Sequence, residues 1–136
     1  MAAEIRIGKV SKVDYKNGQV SVLYEDLDGE VTDLLPYSAF NNEYHMPAVE
    51  DWVLVVHLRN GVAAGVVLGT YWGEENKPPV HGKDLYRKDY SNKAGKAYTQ
   101  YDPSSGQLTI KADKIVFQTS AGNISVAQII SHLASH

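Results

Sequence analysis

Short runs in which apolar and polar residues alternate recur along almost the whole chain, and they constrain the fold more than any other sequence feature. One such run carries Val20, Val22 and Tyr24, and a later one carries Leu108 and Ile110. Because successive side chains of a β-strand point to opposite faces, a two-residue period predicts strands with one apolar face. A helical period is indicated only near the C-terminus, so we predict an all-β fold.

Residues 1–76 predict five strands joined by tight turns. Asn17-Gly18 and Asn60-Gly61 mark hairpin turns, because Asn-Gly readily takes the positive φ values that such turns need. Another turn is predicted at 26–29, and Pro36 ends the third strand. Five short strands favour a small closed barrel, since closure removes exposed sheet edges. We predict an OB-type barrel over 1–76, with a small open sandwich as the alternative.

The charge of the chain is unevenly distributed. Of the net charge of −3, residues 1–76 carry −7, residues 77–96 carry +4, and the remainder is neutral. Pro78, Pro79 and Gly82 stand among the basic residues, so we predict a basic linker over 77–97. This linker is either solvated or bound to the acidic barrel of a neighbouring copy. In the second case, dissociation of the copies would depend on salt concentration.

A segment of alternating apolar and polar residues, which we call the ribbon, follows the linker. Alternation predicts three short strands over the segment 98–124, the third of which continues to Val126. Their apolar faces carry Leu108, Ile110, Ile115, Phe117 and Ile124, and their polar side carries Lys111, Asp113 and Gln118. In the segment 125–136 the period changes to that of a helix, which Ser125 can cap. One helical stripe is formed by Val126, Ile129, Ile130 and Leu133.

The apolar side chains of the ribbon and helix need a surface to pack on. Leaving each of them in water forfeits about 1.5–3 kcal/mol, and the linker carries them away from the barrel. Another copy of the same ribbon is the simplest source of matching surface. The residues alone leave the number of copies open, with two as the ordinary default.

Nearly the whole chain resembles the baseplate spike family of contractile phage tails, often called baseplate assembly protein V. The matching segments are IGKV from Ile7, NGQVSVLYEDLDGEVTDLLPY, EYHMPAVEDWVLVVHLRNGVAAGVVLG, NKPP and YDPSSGQLTIKADKIVFQTSAGNISV. The specificity lies in the ordered series rather than in one motif. The resemblance implies an N-terminal OB-type barrel followed by a short intertwined trimeric β-prism.

This resemblance implies a homotrimeric structural spike on the tail axis of a phage or a phage-tail-like particle. Such a spike plugs the tail tube and leads envelope penetration, so its partners are a baseplate hub protein, a separate spike-tip protein and the target cell envelope. The protein would be made in the bacterial cytoplasm and would reside in the baseplate. The expected trimer core is formed by Leu108, Ile110, Ile115, Phe117, Ile124, Val126, Ile129, Ile130 and Leu133.

Longer members of the family extend the prism, and some end in a His-x-His apex that binds iron. In this chain the predicted prism is short and the C-terminal end is predicted to be a helix, with His132 and His136 four residues apart on one face. Around a threefold axis these histidines can gather around a metal ion. The alternative is that they are exposed terminal side chains, and we predict no metal site.

The sequence offers little support for an enzyme. The chain has no cysteine, which excludes disulfides and thiolate metal sites and fits a reducing compartment. His57 falls within a strand pattern that favours a packing role, while His45 and His81 lie in predicted loops without a nucleophile at useful spacing. We therefore expect no enzymatic activity and no cofactor, and the N-terminal residues do not predict a secretory signal.

An OB-fold module that binds nucleic acid or oligosaccharide, with the ribbon as an oligomerising arm, is the alternative function. The nine tyrosines and two tryptophans are compatible with stacking of bases or sugars. The charge of −7 over residues 1–76 opposes phosphate binding, which depends on positive potential. We therefore expect no nucleic-acid partner.

Overall fold

The fold is all-β, with one short C-terminal α-helix among the residues that the structure describes. A computed structural model describes residues 4–58 and 64–135, and it divides the chain into two compact units, Met1–Pro78 and Pro79–His136. The predicted turn at Asn60-Gly61 and the terminal His136 lie outside the described residues.

The described residues of the N-terminal unit, 4–58 and 64–78, form six strands and two short 3-10 helices. The strands are β1 (Glu4–Asp14), β2 (Gln19–Tyr24), β3 (Glu30–Val31), β4 (Leu35–Pro36), β5 (Trp52–His57) and β6 (Gly65–Thr70). The 3-10 helices are Glu25–Leu27 and Phe40–Asn42. In the sheet, β1 pairs with both β2 and β5, β5 pairs with β6, and β2 also pairs with β3 and β4.

A parallel contact just after β4 closes this sheet into a barrel. Tyr37 bridges Val67 of β6, and the Ser38 amide donates to the Val67 carbonyl at 2.9 Å. The ring therefore runs from β4 through β2, β1, β5 and β6 back to the segment after β4. This ring is what the predicted barrel requires, and its assignment to the OB type remains a prediction.

Alternation along the strands places one face of each inside the barrel. Within β5, Val53, Val55 and His57 are buried while the residues between them are partly exposed. The buried apolar core is formed by Val10, Val20, Val22, Tyr24, Leu35, Met46, Val53, Val55 and Val67. The inward position of His57 agrees with the packing role that its strand pattern favours.

The predicted third strand is divided in two. Between β3 and β4, the buried Thr32 accepts a hydrogen bond on its hydroxyl from the Val22 amide at 3.0 Å and donates one to the Asp33 carbonyl at 2.7 Å. A side chain that bonds to backbone in this way competes with the strand ladder. Pro36 is the last residue of β4, so the strand ends there as predicted.

The C-terminal unit contains a three-stranded antiparallel sheet, a hairpin and a helix. The sheet has the order β7-β8-β9, with β7 (Tyr86–Asp89), β8 (Tyr98–Asp102) and β9 (Gln107–Lys111). The hairpin pairs β10 (Val116–Thr119) with β11 (Gly122–Ser125), and α1 spans Val126–Ala134.

The prediction that residues 77–97 form a linker is wrong for one segment. Tyr86–Asp89 is strand β7, which pairs with β8 from Tyr86 opposite Tyr101 to Asp89 opposite Tyr98. This strand lacks the apolar alternation used to predict strands. The intertwined trimeric β-prism concerns contacts between chains and remains a prediction.

Candidate functional site

The three-stranded sheet of the C-terminal unit has one apolar, exposed face. Leu108 pairs with Tyr101, which in turn pairs with Tyr86, so the three side chains form one row across the sheet. Ile110 pairs with Thr99 in a second row on the same face. Lys88 pairs with Thr99 and completes this row. Tyr86, Tyr101, Leu108 and Ile110 are exposed, whereas Thr99 and Lys88 are partly buried. The face therefore carries two aromatic and two aliphatic side chains in contact with solvent.

The opposite face of the same sheet is polar and makes its own contacts. The Arg87 guanidinium lies 3.6 Å from the centroid of the Tyr98 ring and donates to Gln100 Oε1 at 2.9 Å and to Asp89 at 3.1 Å. Burial works to raise the pKa of Asp89, but hydrogen bonds from Arg87 and the Gly95 amide hold that pKa below its ordinary value. The polar face is therefore bonded internally, whereas Tyr86, Tyr101, Leu108 and Ile110 on the other face are exposed.

The hairpin repeats this division into two faces. Phe117 of β10 lies directly opposite Ile124 of β11, and both are exposed. Gln118 and Asn123 form the next pair and point to the other face, so Gln118 lies opposite the apolar pair as predicted. The exposed Val116 is on the Gln118 side of the hairpin.

Helix α1 presents a third exposed apolar stripe. Its start is fixed by a capping box, in which the Ser125 hydroxyl accepts from the Gln128 amide at 3.1 Å and Gln128 Oε1 accepts from the Ser125 amide at 2.8 Å. The predicted cap at Ser125 is therefore confirmed. Ile130 and Leu133 lie on the predicted stripe and are exposed.

Two predicted core residues lie outside the strands in which the sequence predicts them. Val126, which the alternation also assigns to a strand, is the first residue of α1. Ile115 precedes β10 instead of lying in it. The Val126 amide donates to the Ile115 carbonyl at 2.9 Å, so the two residues are still neighbours.

None of the nine predicted core residues is buried within the single chain. Six are exposed, with exposed fractions from 45% for Ile124 to 68% for Leu133, whereas Ile115, Val126 and Ile129 are partly buried. Tyr86 and Tyr101 belong to the same apolar face as Leu108 but were not predicted. The two tyrosines could be assigned to this face only from the pairing register of the strands, which a single sequence does not reveal. The grouping of these residues in a trimer core remains a prediction.

A buried polar pair lies inside the barrel. Tyr24 and His57 are both 0% exposed, and the Tyr24 hydroxyl lies 2.5 Å from His57 Nε2. His57 Nδ1 lies 3.2 Å from the Ala64 carbonyl, which only accepts, so Nδ1 carries the proton and Nε2 accepts from Tyr24. Burial raises the pKa of Tyr24 to about 12. The pair is satisfied internally and has the geometry of a structural element.

Within residues 4–58 and 64–135, no three His, Cys, Asp or Glu side chains form a group suited to a metal ion. His132 lies in the last turn of α1, and the pairing of its imidazole with His136 falls outside the described residues. In the same described part of the chain, no helix has the length and apolar character needed to span a membrane.

The chain was compared with protein-family models and with curated protein sequences. Neither comparison finds a match.

Proposed function

We propose that this chain is the structural, non-enzymatic central spike of a contractile-tail baseplate, in a phage or a phage-tail-like particle. It would assemble as a homotrimer, plug the tail tube and lead envelope penetration. The proposal rests on the resemblance of nearly the whole sequence to baseplate spikes and on one structural observation. That observation is that the sheet, the hairpin and the helix of the C-terminal unit each carry exposed apolar side chains.

The division of the C-terminal unit into two kinds of face supports a partner made of the same chain. The polar face is already bonded through Arg87, whereas Leu108, Phe117 and Leu133 contact solvent. Complete burial of such a side chain contributes about 1.5–3 kcal/mol relative to exposure. A closed trimer repeats this contribution at every copy and supplies each stripe with a surface of matching composition.

Unpaired strand edges also support assembly. In the described part of the chain, β7 and β9 are the outer strands of their sheet, and the hairpin of β10 and β11 has two outer strands. Such edges offer unpaired amides and carbonyls to a further strand. Edge pairing between copies would share hydrogen bonds among chains, which suits a rod that bears load along its axis. A hub protein, a spike-tip protein and the target envelope are the other proposed partners.

Light scattering on the purified full chain tests the trimer. We expect a mass of three chains for the natural sequence. Phe117→Asp would bring three carboxylates together in an apolar core and should give single chains. The matched control is Gln118→Asp, because Gln118 is exposed on the opposite face of the same hairpin, and this variant should remain trimeric. A natural chain that is a stable monomer, or a Phe117→Asp variant that assembles normally, would overturn the proposal.

Immunogold electron microscopy tests the place of the protein in a particle. Antibodies against the chain should label the baseplate end of contractile tails induced in the source cells. Deletion of its coding sequence should give particles that lack this label and fail to assemble or to penetrate. Label along the sheath, or intact and penetrating particles after deletion, would contradict a central spike.

A further inference from the structure

Three aromatic side chains are exposed on two neighbouring loops of the barrel. Tyr15 follows β1, whereas Phe40 and Tyr44 lie between β4 and β5, and their exposed fractions are 60%, 65% and 69%. The Tyr44 hydroxyl donates to the Tyr15 carbonyl at 3.0 Å, which ties the two loops together. We call residues 15–18 and 38–45 the aromatic loops. Tyr44 is held in position while its ring remains open to solvent.

Two unengaged amides lie beside these rings. Asn41 and Asn42 have positive φ angles of 58° and 59°, a left-handed conformation that asparagine tolerates better than most residues. Neither side chain has a hydrogen-bond partner among the residues that the structure describes. Each amide offers two donor hydrogens and one acceptor oxygen. Polar groups able to bond hydroxyls therefore lie between Phe40 and Tyr44 in the chain.

The aromatic loops are electrically neutral on an acidic unit. They contain one lysine, Lys16, and one carboxylate, Glu43, whereas residues 1–76 carry −7. A nucleic acid or another polyanion would meet repulsion from the rest of the barrel. A neutral ligand would avoid that repulsion.

The exposed area of the aromatic loops distinguishes between a small ligand and a protein as the binding partner. Aromatic side chains bury about 150–250 Å² each, so three rings exposed to this degree offer about 400 Å². A standard protein interface needs about 800 Å² from each partner. The exposed area of the aromatic loops falls short of that value but matches the area of a short oligosaccharide. In addition, the loop after the first strand of an OB-type barrel is a recurrent position for such ligands.

We propose that the aromatic loops bind a neutral oligosaccharide, with sugar faces on Phe40 and Tyr44 and hydroxyls bonded to the amides of Asn41 and Asn42. This proposal does not depend on the spike assignment, because it concerns the N-terminal unit by itself. A monomeric chain would leave it intact.

Nuclear magnetic resonance titration of the isotope-labelled full chain tests the proposal. The probes are chitotetraose, cellotetraose and maltotetraose, with the anionic tetragalacturonate as a charged comparison. We expect at least one neutral probe to shift the amide signals of the aromatic loops with a dissociation constant of about 1 mM or lower. Tetragalacturonate should bind more weakly. Absence of binding by all three neutral probes, or tighter binding of the anion, would overturn the proposal.

Variants then assign the binding to these side chains. Phe40→Ala and Tyr44→Ala should each weaken binding by about 10-fold. Asn41→Gly keeps the left-handed backbone while removing the amide, and it should weaken binding by about 5-fold. The matched control is Tyr90→Ala, because Tyr90 is an exposed tyrosine of the other unit, and this variant should bind normally. Unchanged affinity in the first three variants, or equal loss in the control, would refute the assignment.

Discussion

Tyr24→Phe removes one oxygen atom from the barrel core and leaves the aromatic ring in place. In the natural chain, this oxygen donates its proton to His57 Nε2, and both side chains are fully buried. The substitution leaves the Nε2 acceptor without a partner at a position closed to water. A buried polar group without a partner costs about 1–3 kcal/mol, so we expect the free energy of unfolding to fall by that amount.

Urea unfolding of the full chain, followed by tryptophan fluorescence, measures this change. With denaturant slopes of about 1–3 kcal/mol/M for small proteins, a loss of about 2 kcal/mol lowers the midpoint by about 1 M. Tyr15→Phe is the matched control, since the Tyr15 ring is exposed and its hydroxyl has no partner among the described residues. This control should stay within about 0.5 kcal/mol of the natural chain.

A double-mutant cycle shows whether the cost arises from the hydrogen bond. In a His57→Leu background, the acceptor is already absent, and Tyr24→Phe should cost less than about 0.5 kcal/mol. An equal cost of Tyr24→Phe in both backgrounds would refute the reasoning. A natural-like midpoint for the single Tyr24→Phe variant would also refute it.

Three further predictions follow from particular side chains. Folding raises the pKa of Tyr24 from 10.0 to about 12, so the unfolded chain loses this proton first and the free energy of unfolding should fall by about 2–3 kcal/mol as the pH rises from 10 to 12. Urea titrations at each pH measure this loss, and the Tyr24→Phe variant should lack it. Gly8→Ala would place a Cβ atom 2.5 Å from Val22 Cγ1 and 2.8 Å from the Leu23 carbonyl, and should lower the unfolding free energy by about 1–3 kcal/mol, whereas Gly73→Ala should be tolerated. Ser125→Ala removes the helix cap and should speed hydrogen exchange of the Gln128 amide by about 5-fold, with Ser131→Ala as the unaffected control.

The barrel was predictable because its signals are local. Alternation predicts the buried residues of β2 and β5, whereas in β1 the apolar Ile5 and Ile7 are exposed and Gly8 and Val10 are buried. The turn at Asn17-Gly18 is marked by its glycine, since Gly18 has a φ of 64°. The division of the third strand was not predictable in the same way. It depends on the Thr32 hydroxyl, which reaches the Val22 amide across the sheet. A threonine in an alternating run gives no sign of which partner it will bond.

The C-terminal unit was predictable in composition but not in pairing. Leu108, Ile110, Phe117 and Ile124 stand out through alternation alone, and the structure shows all four exposed in the single chain. Strand β7 was missed because it consists of Tyr86, Arg87, Lys88 and Asp89, which show no apolar period. Packing of Arg87 on Tyr98 supports that strand, and this contact joins residues that are distant in sequence.

The direct junction between β11 and α1 links the phase of the helix to the hairpin. Ser125 ends the strand opposite Val116 and caps the helix at the next residue, so the junction contains no spacer. Each added residue would rotate α1 by about 100° about its axis. An insertion at this point would swing Leu133 around the helix circumference while Phe117 stayed in place. The direct junction therefore fixes the rotation of the Leu133 stripe about the helix axis relative to the hairpin.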